Sequence, residues 1–258
     1  NTPPTLASVV VQPEETNRLG IFSCSFGGWV DPDTEDVESQ VRYQWYTHGA
    51  EGEKAAVDEA TEATLAAGAF EPGTTLTCEV TPFDSTEDGL VMASAKVEVI
   101  NHPPVVEWVT TSPLAAYVDS QFTCQAGEPE DSDGDESYNR ISWYLNGALI
   151  GSESETELSD AFAKGDVVQC AATPFDPYED GITVWSNPVT VLNTAPTSPE
   201  ISLSPAAGTV ETVFECTLAT ASTDKDTDDL NYEFSWKVNA YDTGVNSNSV
   251  VAIQLERD

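Results

Sequence analysis

Hydrophobic and polar residues alternate with a period of two in many short stretches of the chain. In Val41-Arg42-Tyr43-Gln44-Trp45 the apolar side chains fall on one face, as a half-buried strand requires. Turn residues interrupt such stretches about every ten residues, which is the rhythm of a β-sandwich. No long stretch combines a helical period with good helix formers. The pattern predicts an all-β fold.

The alternating stretches recur in three copies. Each copy opens with an asparagine followed by proline: Asn1-Thr2-Pro3-Pro4, Asn101-His102-Pro103-Pro104 and Asn193-Thr194-Ala195-Pro196. A strand with a cysteine comes next, at Cys24, Cys124 and Cys216, and after an acidic loop a strand carries Trp45, Trp143 or Trp236. Only the first two copies contain a second cysteine, Cys78 and Cys170. We therefore predict a first repeat at 1–100, a second at 101–192 and a third at 193–258.

The order Cys, Trp, Cys is the sequence signature of an immunoglobulin-type sandwich, in which a disulfide between strands B and F packs against a Trp on strand C. This signature pairs Cys24 with Cys78 and Cys124 with Cys170. In the third repeat, strands F and G are missing before residue 258, so Cys216 is expected to pair beyond that residue or with another chain. The predicted fold class is thus all-β, with tandem immunoglobulin-like sandwiches of which the third is incomplete within this chain.

The repeats resemble the tandem immunoglobulin-like, or PKD- and cadherin-like, repeats of secreted and surface proteins of bacteria and archaea. Those repeats open with N-x-x-P, carry a D-x-D-G-D-type loop before a Y-x-W strand and close with C-x-V-T-P-x-D. The resemblance covers the whole chain. It implies a segment of an extracellular rod, stalk or adhesin, often stiffened by calcium.

The charge of the chain narrows the choice of partners. Forty-five acidic residues against nine basic ones give a formal charge of −36, which argues against nucleic acid or an anionic membrane as a partner. The 40% hydrophobic content and six Trp provide for real cores. No apolar run is long enough to insert into a membrane. Adaptation to salt is a second explanation of the acidity.

The acidic loop of the second repeat holds six carboxylates between Glu128 and Ser137. In an immunoglobulin-like topology this BC loop, the FG loop and the preceding linker meet at one end of the sandwich, where they offer the oxygen ligands that Ca²⁺ prefers. We expect calcium at each junction. The predicted ligands are Asn101, Asp131, Asp133, Asp135, Asp176 and Asp180 in the second repeat, Asp31, Asp33, Asp36, Asp84 and Asp88 in the first, and Asn193, Asp224, Asp226 and Asp228 in the third. The alternative is that these acids are solvated loop tips.

The sequence favours a structural function over an enzymatic one. No unique catalytic constellation occurs, and His48 and His102 lie in a predicted turn and a linker without a nucleophile nearby. Disulfides indicate an oxidising compartment, hence an extracellular or cell-surface location. The expected partners are neighbouring repeats of a longer chain, with self-association into fibres as an option. The alternative function is adhesion or glycan binding through the exposed aromatics Trp29, Trp108 and Trp185.

Overall fold

The computed structural model describes residues 1–33, 40–84, 86–152, 156–159 and 161–251. These residues form β-structure without an α-helix, and a short 3₁₀ turn covers Ala67–Ala69. None of the described helical residues forms a segment long and apolar enough to cross a membrane. The chain is divided into two compact units. The first unit comprises Asn1–Val109, Ala126–Arg140 and Ala172–Val184, and the second comprises Thr110–Gln125, Ile141–Ala171 and Trp185–Asp258.

This division does not follow the repeat boundaries. The segments of the second repeat that carry its acidic loop and its FG loop, Ala126–Arg140 and Ala172–Val184, belong to the same compact unit as the whole first repeat. The acidic end of the second repeat therefore has its tertiary neighbours in the first repeat. The division into repeats at residues 100 and 192 stays a prediction.

The described residues of the first repeat form nine strands in two sheets. They are β1 (Ser8–Gln12), β2 (Glu15–Thr16), β3 (Ile21–Gly27), β4 (Gln40–His48), β5 (Lys54–Ala56), β6 (Thr64–Ala66), β7 (Thr75–Phe83), β8 (Met92–Ala93) and β9 (Val97–Val99). One sheet has the order β1-β3-β6. The other has the order β2-β9-β7-β4-β5, with β8 also on β7.

A core lies between the two sheets of the first repeat, because alternate residues of β1 and β3 point inward. Trp45 on β4 stands opposite Cys78 on β7 in the antiparallel register. Cys78 forms a disulfide with Cys24 of β3 and so joins the two sheets. The Trp45 ring is fully buried, and its indole N–H donates to the Glu62 carbonyl at 2.9 Å. Each large apolar side chain buried in this way contributes about 1.5–3 kcal/mol.

The second repeat has the same plan. Its described strands are β10 (Val109–Ser112), β11 (Phe122–Ala126), β12 (Tyr138–Leu145), β13 (Ala148–Ser152), β14 (Glu157–Leu158), β15 (Val167–Phe175), β16 (Val184–Trp185) and β17 (Val189–Thr190). The sheets have the orders β10-β11-β14 and β13-β12-β15-β16, with β17 on β15. Cys124 of β11 forms a disulfide with Cys170 of β15, and Trp143 and Phe122 are buried.

The third repeat is described only as far as Val251. Its strands are β18 (Glu200–Ser204), β19 (Val213–Thr220), β20 (Lys237–Val238), β21 (Tyr241–Asp242) and β22 (Ser249–Val251), arranged as a sheet β18-β19-β22 and a hairpin β20-β21. Apolar residues alternate along β19 but are only half-buried, and Cys216 is a free cysteine. The predicted fold class is confirmed: the described residues are almost entirely β-structure, in tandem immunoglobulin-like repeats.

Candidate metal site

Each linker is fixed to its acidic loop by the same hydrogen bond. The main-chain N–H of the residue after the linker asparagine donates to the middle aspartate of the loop. The three donor and acceptor pairs are Thr2 and Asp33, His102 and Asp133, and Thr194 and Asp226. Because a carboxylate oxygen accepts a main-chain N–H strongly, the middle aspartate attaches the start of a repeat to its own acidic loop.

The first aspartate of each loop shapes the loop itself. Asp131 Oδ1 accepts the N–H groups of Asp133 at 2.7 Å and Asp135 at 3.2 Å, and Asp224 accepts those of Asp226 and Asp228 at 2.7 and 3.4 Å. Asp31 accepts the N–H of Asp33 at 2.8 Å. The turn needs a left-handed residue in its fourth position, which is Gly134 at φ 77° and Thr227 at φ 63°. Glycine adopts that conformation without a steric penalty.

The linker asparagine joins the FG loop to the same place. Asn101 Nδ2 donates to Asp176 Oδ2 and to Glu179 Oε1, both at 3.0 Å. Asp176 Oδ1 in turn accepts the N–H groups of Tyr178 and Glu179 at 2.7 Å. The linker, the acidic loop and the FG loop of the second repeat therefore converge, as the immunoglobulin-like topology led us to expect.

The first repeat repeats this arrangement. Asn1 Nδ2 donates to Asp84 Oδ2 and Glu87 Oε1, again at 3.0 Å. The hydrogen bond from Asn1 is the largest of the effects that hold the pKa of Asp84 below its ordinary value. In the third repeat the Asn193 amide instead donates to the carbonyl of Thr194.

Three side-chain oxygens at the second-repeat site are buried and have no hydrogen-bond partner among the described residues. They are Asn101 Oδ1, Asp131 Oδ2 and Asp135 Oδ2. Asp131, Asp133 and Asp135 each also offer an oxygen within 4.8 Å of the others. Leaving a buried acceptor unsatisfied costs about 1–3 kcal/mol, and more when it is charged. Asp31 Oδ2, in the equivalent position of the first repeat, is likewise buried without a partner among the described residues.

Asp135 is in an environment that opposes its charge. Burial raises the pKa of its carboxyl above the ordinary value; the Arg18 guanidinium opposes this, while the charges of Asp131, Asp133 and Asp176 add to it. The group is therefore surrounded by more negative charge than a single arginine balances. A divalent cation bound among these carboxylates would relieve the repulsion.

Asp133 has the opposite character, because its carboxylate is fully engaged within the protein. Its Oδ1 accepts from Asn17 at 2.7 Å and interacts with the His102 ring at 2.9 Å, and its Oδ2 accepts the His102 N–H at 2.6 Å. Burial raises the pKa of Asp133, but these hydrogen bonds outweigh burial and hold the pKa below its ordinary value. The side chain is completely buried. Asp133 is thus a structural carboxylate as well as a candidate ligand.

Some of the residues predicted as ligands lie elsewhere. Asp88 pairs with Arg42 at 2.7 Å and Asp180 with Arg140 at 2.9 Å, and all four side chains are more than a third exposed. Asp36 lies outside the described residues. In the third repeat Asp224, Asp226 and Asp228 do come together. The site that the structure assembles thus contains Asn101, Asp131, Asp133, Asp135 and Asp176.

Several residues of the site were not singled out from the sequence. Glu179 and Glu87 receive the linker asparagine, and both belong to the Glu-Asp-Gly sequence that recurs in the two FG loops. That recurrence is a signal that could have found them. Asn17 and Arg18 carry no such signal, because they come close to the loop only through the packing of the first repeat on the second.

No known protein family matches the chain, and no curated protein sequence matches it. Among solved structures, the FN1–FN3 domains of chicken CNTN1 are 10% identical, with a TM-score of 0.29 over 96% of this chain and 86% of that one. A two-domain fibronectin type III segment of chicken tenascin is 12% identical, with a TM-score of 0.33 over 71% and 98% of the two chains. A Ca²⁺-stabilized adhesin that helps an Antarctic bacterium bind ice is 13% identical, with a TM-score of 0.34 over 84% and 58%.

Proposed function

We propose that this chain is a structural segment of an extracellular or cell-surface protein, in which tandem immunoglobulin-like repeats form a rod and Ca²⁺ stiffens the joints. Two observations support the location and the role. The two disulfides suit an oxidising compartment. The linkers are short, and hydrogen bonds hold them next to the residues that a metal would bind. A metal bound there would therefore act on the angle between repeats.

The proposal rests on the three buried oxygens without partners, Asn101 Oδ1, Asp131 Oδ2 and Asp135 Oδ2. They come from the linker and from both ends of the acidic loop, and all are hard oxygen donors. Ca²⁺ takes six to eight such ligands and accepts water among them. Zinc and copper prefer nitrogen or sulfur ligands, which the site offers only in the His102 ring. The donor set therefore fits calcium.

A metal at this position would act on the joint between the first and second repeats. Asn101 belongs to the linker, and the loop of Asp131 and Asp135 receives Asn17 and Arg18 from the first repeat. A divalent ion supplies the positive charge that this group of carboxylates lacks. Its binding would tie the linker to the loop and would reduce the freedom of the joint.

Calorimetric titration of the chelator-treated chain with Ca²⁺ tests the proposal. We expect binding with a Kd of about 0.1 mM, within the range of extracellular calcium modules. Asp131→Asn should weaken binding at least about tenfold, because it replaces an unpaired anionic oxygen by an amide. Asp180→Asn is the matched control, since it removes the same charge from a carboxylate that pairs outward with Arg140. Absence of binding at about 5 mM Ca²⁺, or equal losses in the two variants, would reject the site.

A second candidate function, adhesion through an aromatic pocket, is favoured by a feature found in the second repeat. A cavity of 440 Å³ is lined by Val105, Val106, Glu107, Trp108, Gly127, Glu128 and Glu130. Trp108 is 46% exposed. The first repeat has Ala7, Ser8, Gly28 and Val30 in the corresponding places, so the pocket chemistry is not part of the repeat plan.

Three glutamates around an exposed indole favour a cationic ligand, because an ammonium or guanidinium group gains both ion pairing and a cation–π contact. Nuclear magnetic resonance titration of the Trp108 indole N–H with N-acetyl-lysine amide, arginine amide and neutral sugars tests this function. A shift with the amines that the double variant Glu128→Gln and Glu130→Gln weakens supports it, because the indole signal remains while two of the anionic partners are lost. A shift only with sugars would assign the pocket to glycans, and no shift with either would exclude both.

A further inference from the structure

Arg18 connects the first repeat to the acidic loop of the second. It lies in the turn between β2 and β3, and its Nη1 donates to Asp135 Oδ1 at 3.0 Å and to the Tyr178 hydroxyl at 3.3 Å. The Arg18 side chain is 30% exposed and that of Asp135 is 11% exposed. Tyr178 in turn donates to Glu71 of the first repeat. The pair is therefore better shielded from water than an ordinary surface ion pair.

An equivalent contact occurs one repeat further along the chain. Lys164 Nζ contacts both oxygens of Asp228, at 2.5 and 2.6 Å. Asp228 and Asp135 are each the third aspartate of their loop. The main-chain N–H of each one donates to the first aspartate of the same loop. In both cases a basic residue of the preceding repeat meets the third aspartate of the following loop.

The two basic residues do not occupy equivalent positions in their repeats. When Phe22 is matched with Phe122, Val118 stands where the first repeat has Arg18. When Cys78 is matched with Cys170, Pro72 stands where the second repeat has Lys164. Inheritance of one contact by duplication therefore does not account for both. What the two contacts share is a positive side chain beside the third aspartate of the loop.

Basic residues are scarce in this chain, which has nine of them against 45 acidic residues. In the part of the chain that the structure describes, three basic residues lie at contacts between repeats: Arg18, Lys164 and also Lys225, which pairs with Asp119 of the second repeat. A net charge of −36 pushes neighbouring repeats apart. Cations placed at the joints oppose that repulsion.

We propose that Arg18 and Lys164 are tethered counter-ions of the two joints, which hold each repeat against the acidic loop of the next one when no metal is bound. The inference rests on the proposed role of the chain as a jointed rod, and it adds what closes the joints without calcium. Asp135 uses one oxygen for Arg18 and keeps the other buried and unpaired. The arginine and a metal can therefore share this carboxylate.

The two joints should differ in their response to salt. Lys164 and Asp228 are 42% and 38% exposed, against 30% and 11% for Arg18 and Asp135. Exposed pairs are screened within a Debye length of about 10 Å at 0.1 M salt, and shielded pairs much less. Rising salt should therefore loosen the joint at Lys164 before the joint at Arg18.

Distance distributions in the full chain, kept in chelator, test the proposal. Spin labels are introduced through non-canonical residues at Glu51 and Asn187 for the first joint, and at Asn187 and Val210 for the second. Arg18→Gln should lower the ratio of closed to open conformers at the first joint about fivefold at low salt. Arg42→Gln, which breaks the exposed pair with Asp88 inside the first repeat, should leave the distribution unchanged.

Lys164→Gln should open the second joint in the same way. The double swap Lys164→Asp with Asp228→Lys should restore the closed population, because it reverses the pair without removing it. If Arg18→Gln behaves as Arg42→Gln does, or if the swap fails to restore closure, the proposal is wrong. Because all distances are measured without calcium, failure here is separate from failure of the calcium titration.

Discussion

Gly181 lies against Pro104 so closely that a Cβ atom on residue 181 would stand 2.0 Å from the Pro104 carbonyl oxygen. The first repeat has the same contact between Gly89 and Pro4, where the distance would be 1.9 Å. Both glycines also donate their N–H to the proline that precedes their loop, Pro174 or Pro82. The linker proline therefore rests on the main chain of the FG loop, which only glycine permits at this distance.

Gly181→Ala should displace the linker from the FG loop. Overpacking of this kind costs about 1–3 kcal/mol, so the unfolding midpoint of the second repeat should fall, and calcium binding should weaken because Asn101 moves with the linker. Thermal unfolding and calcium titration measure the two effects. Gly147→Ala is the control: its φ of 80° is left-handed, so the substitution strains the main chain, but nothing lies within 4 Å of the added Cβ. Equal calcium affinities in the two variants would contradict the prediction.

The FG loops place two neighbouring acidic residues in different surroundings. In Glu179-Asp180-Gly181, Glu179 turns toward Asn101, whereas Asp180 pairs with Arg140, whose guanidinium lies over the Phe175 ring at 4.7 Å. Arg42, Asp88 and Phe83 repeat this stack at 4.2 Å in the first repeat. A spacing rule that counts carboxylates cannot tell the two neighbours apart. The side that each faces depends on the strand register at Phe175.

The disulfides provide a second prediction. The Cys124–Cys170 bond spans 46 residues, and a loop of that length stabilises the folded state by about 4 kcal/mol in the chain-entropy model. Replacing both cysteines by Ala should lower the unfolding free energy of the second repeat by about that amount, measured by denaturant titration. Cys216→Ser is the control and should leave this transition unchanged. A thiol assay on the native chain should find the Cys216 thiol, and its absence would contradict the assignment of a free cysteine.

The fold was predictable because its signals are local or periodic. Alternation marks the strands, and the Cys, Trp, Cys order identifies the pairs Cys24–Cys78 and Cys124–Cys170 that the structure contains. The convergence of linker, acidic loop and FG loop followed from topology. The contribution of the first repeat did not, because Arg18 lies more than a hundred residues from Asp135 and meets it only through the packing of one repeat on the next.

Asp133 and Asp131 should have separable functions, although they are two residues apart in one loop. Asp133 accepts hydrogen bonds from His102, Asn17 and Ser132, whereas Asp131 keeps one oxygen buried and unpaired. Asp133→Ala should leave the donors without partners and should destabilise the first joint by about 1–3 kcal/mol. The loss should occur with and without calcium.

Asp131→Asn should behave differently, because its Oδ1 can still accept the N–H groups of the loop. The thermal midpoint in chelator should stay close to that of the unchanged chain, while the increase on adding calcium should fall by about half or more, as tenfold weaker binding implies. For the unchanged chain that increase corresponds to about 2.7 kcal/mol at a calcium concentration one hundred times the Kd. Calorimetric melts of both variants with and without calcium provide the comparison. If Asp131→Asn lost stability equally in both conditions, the carboxylate would be part of the loop scaffold and not a metal ligand.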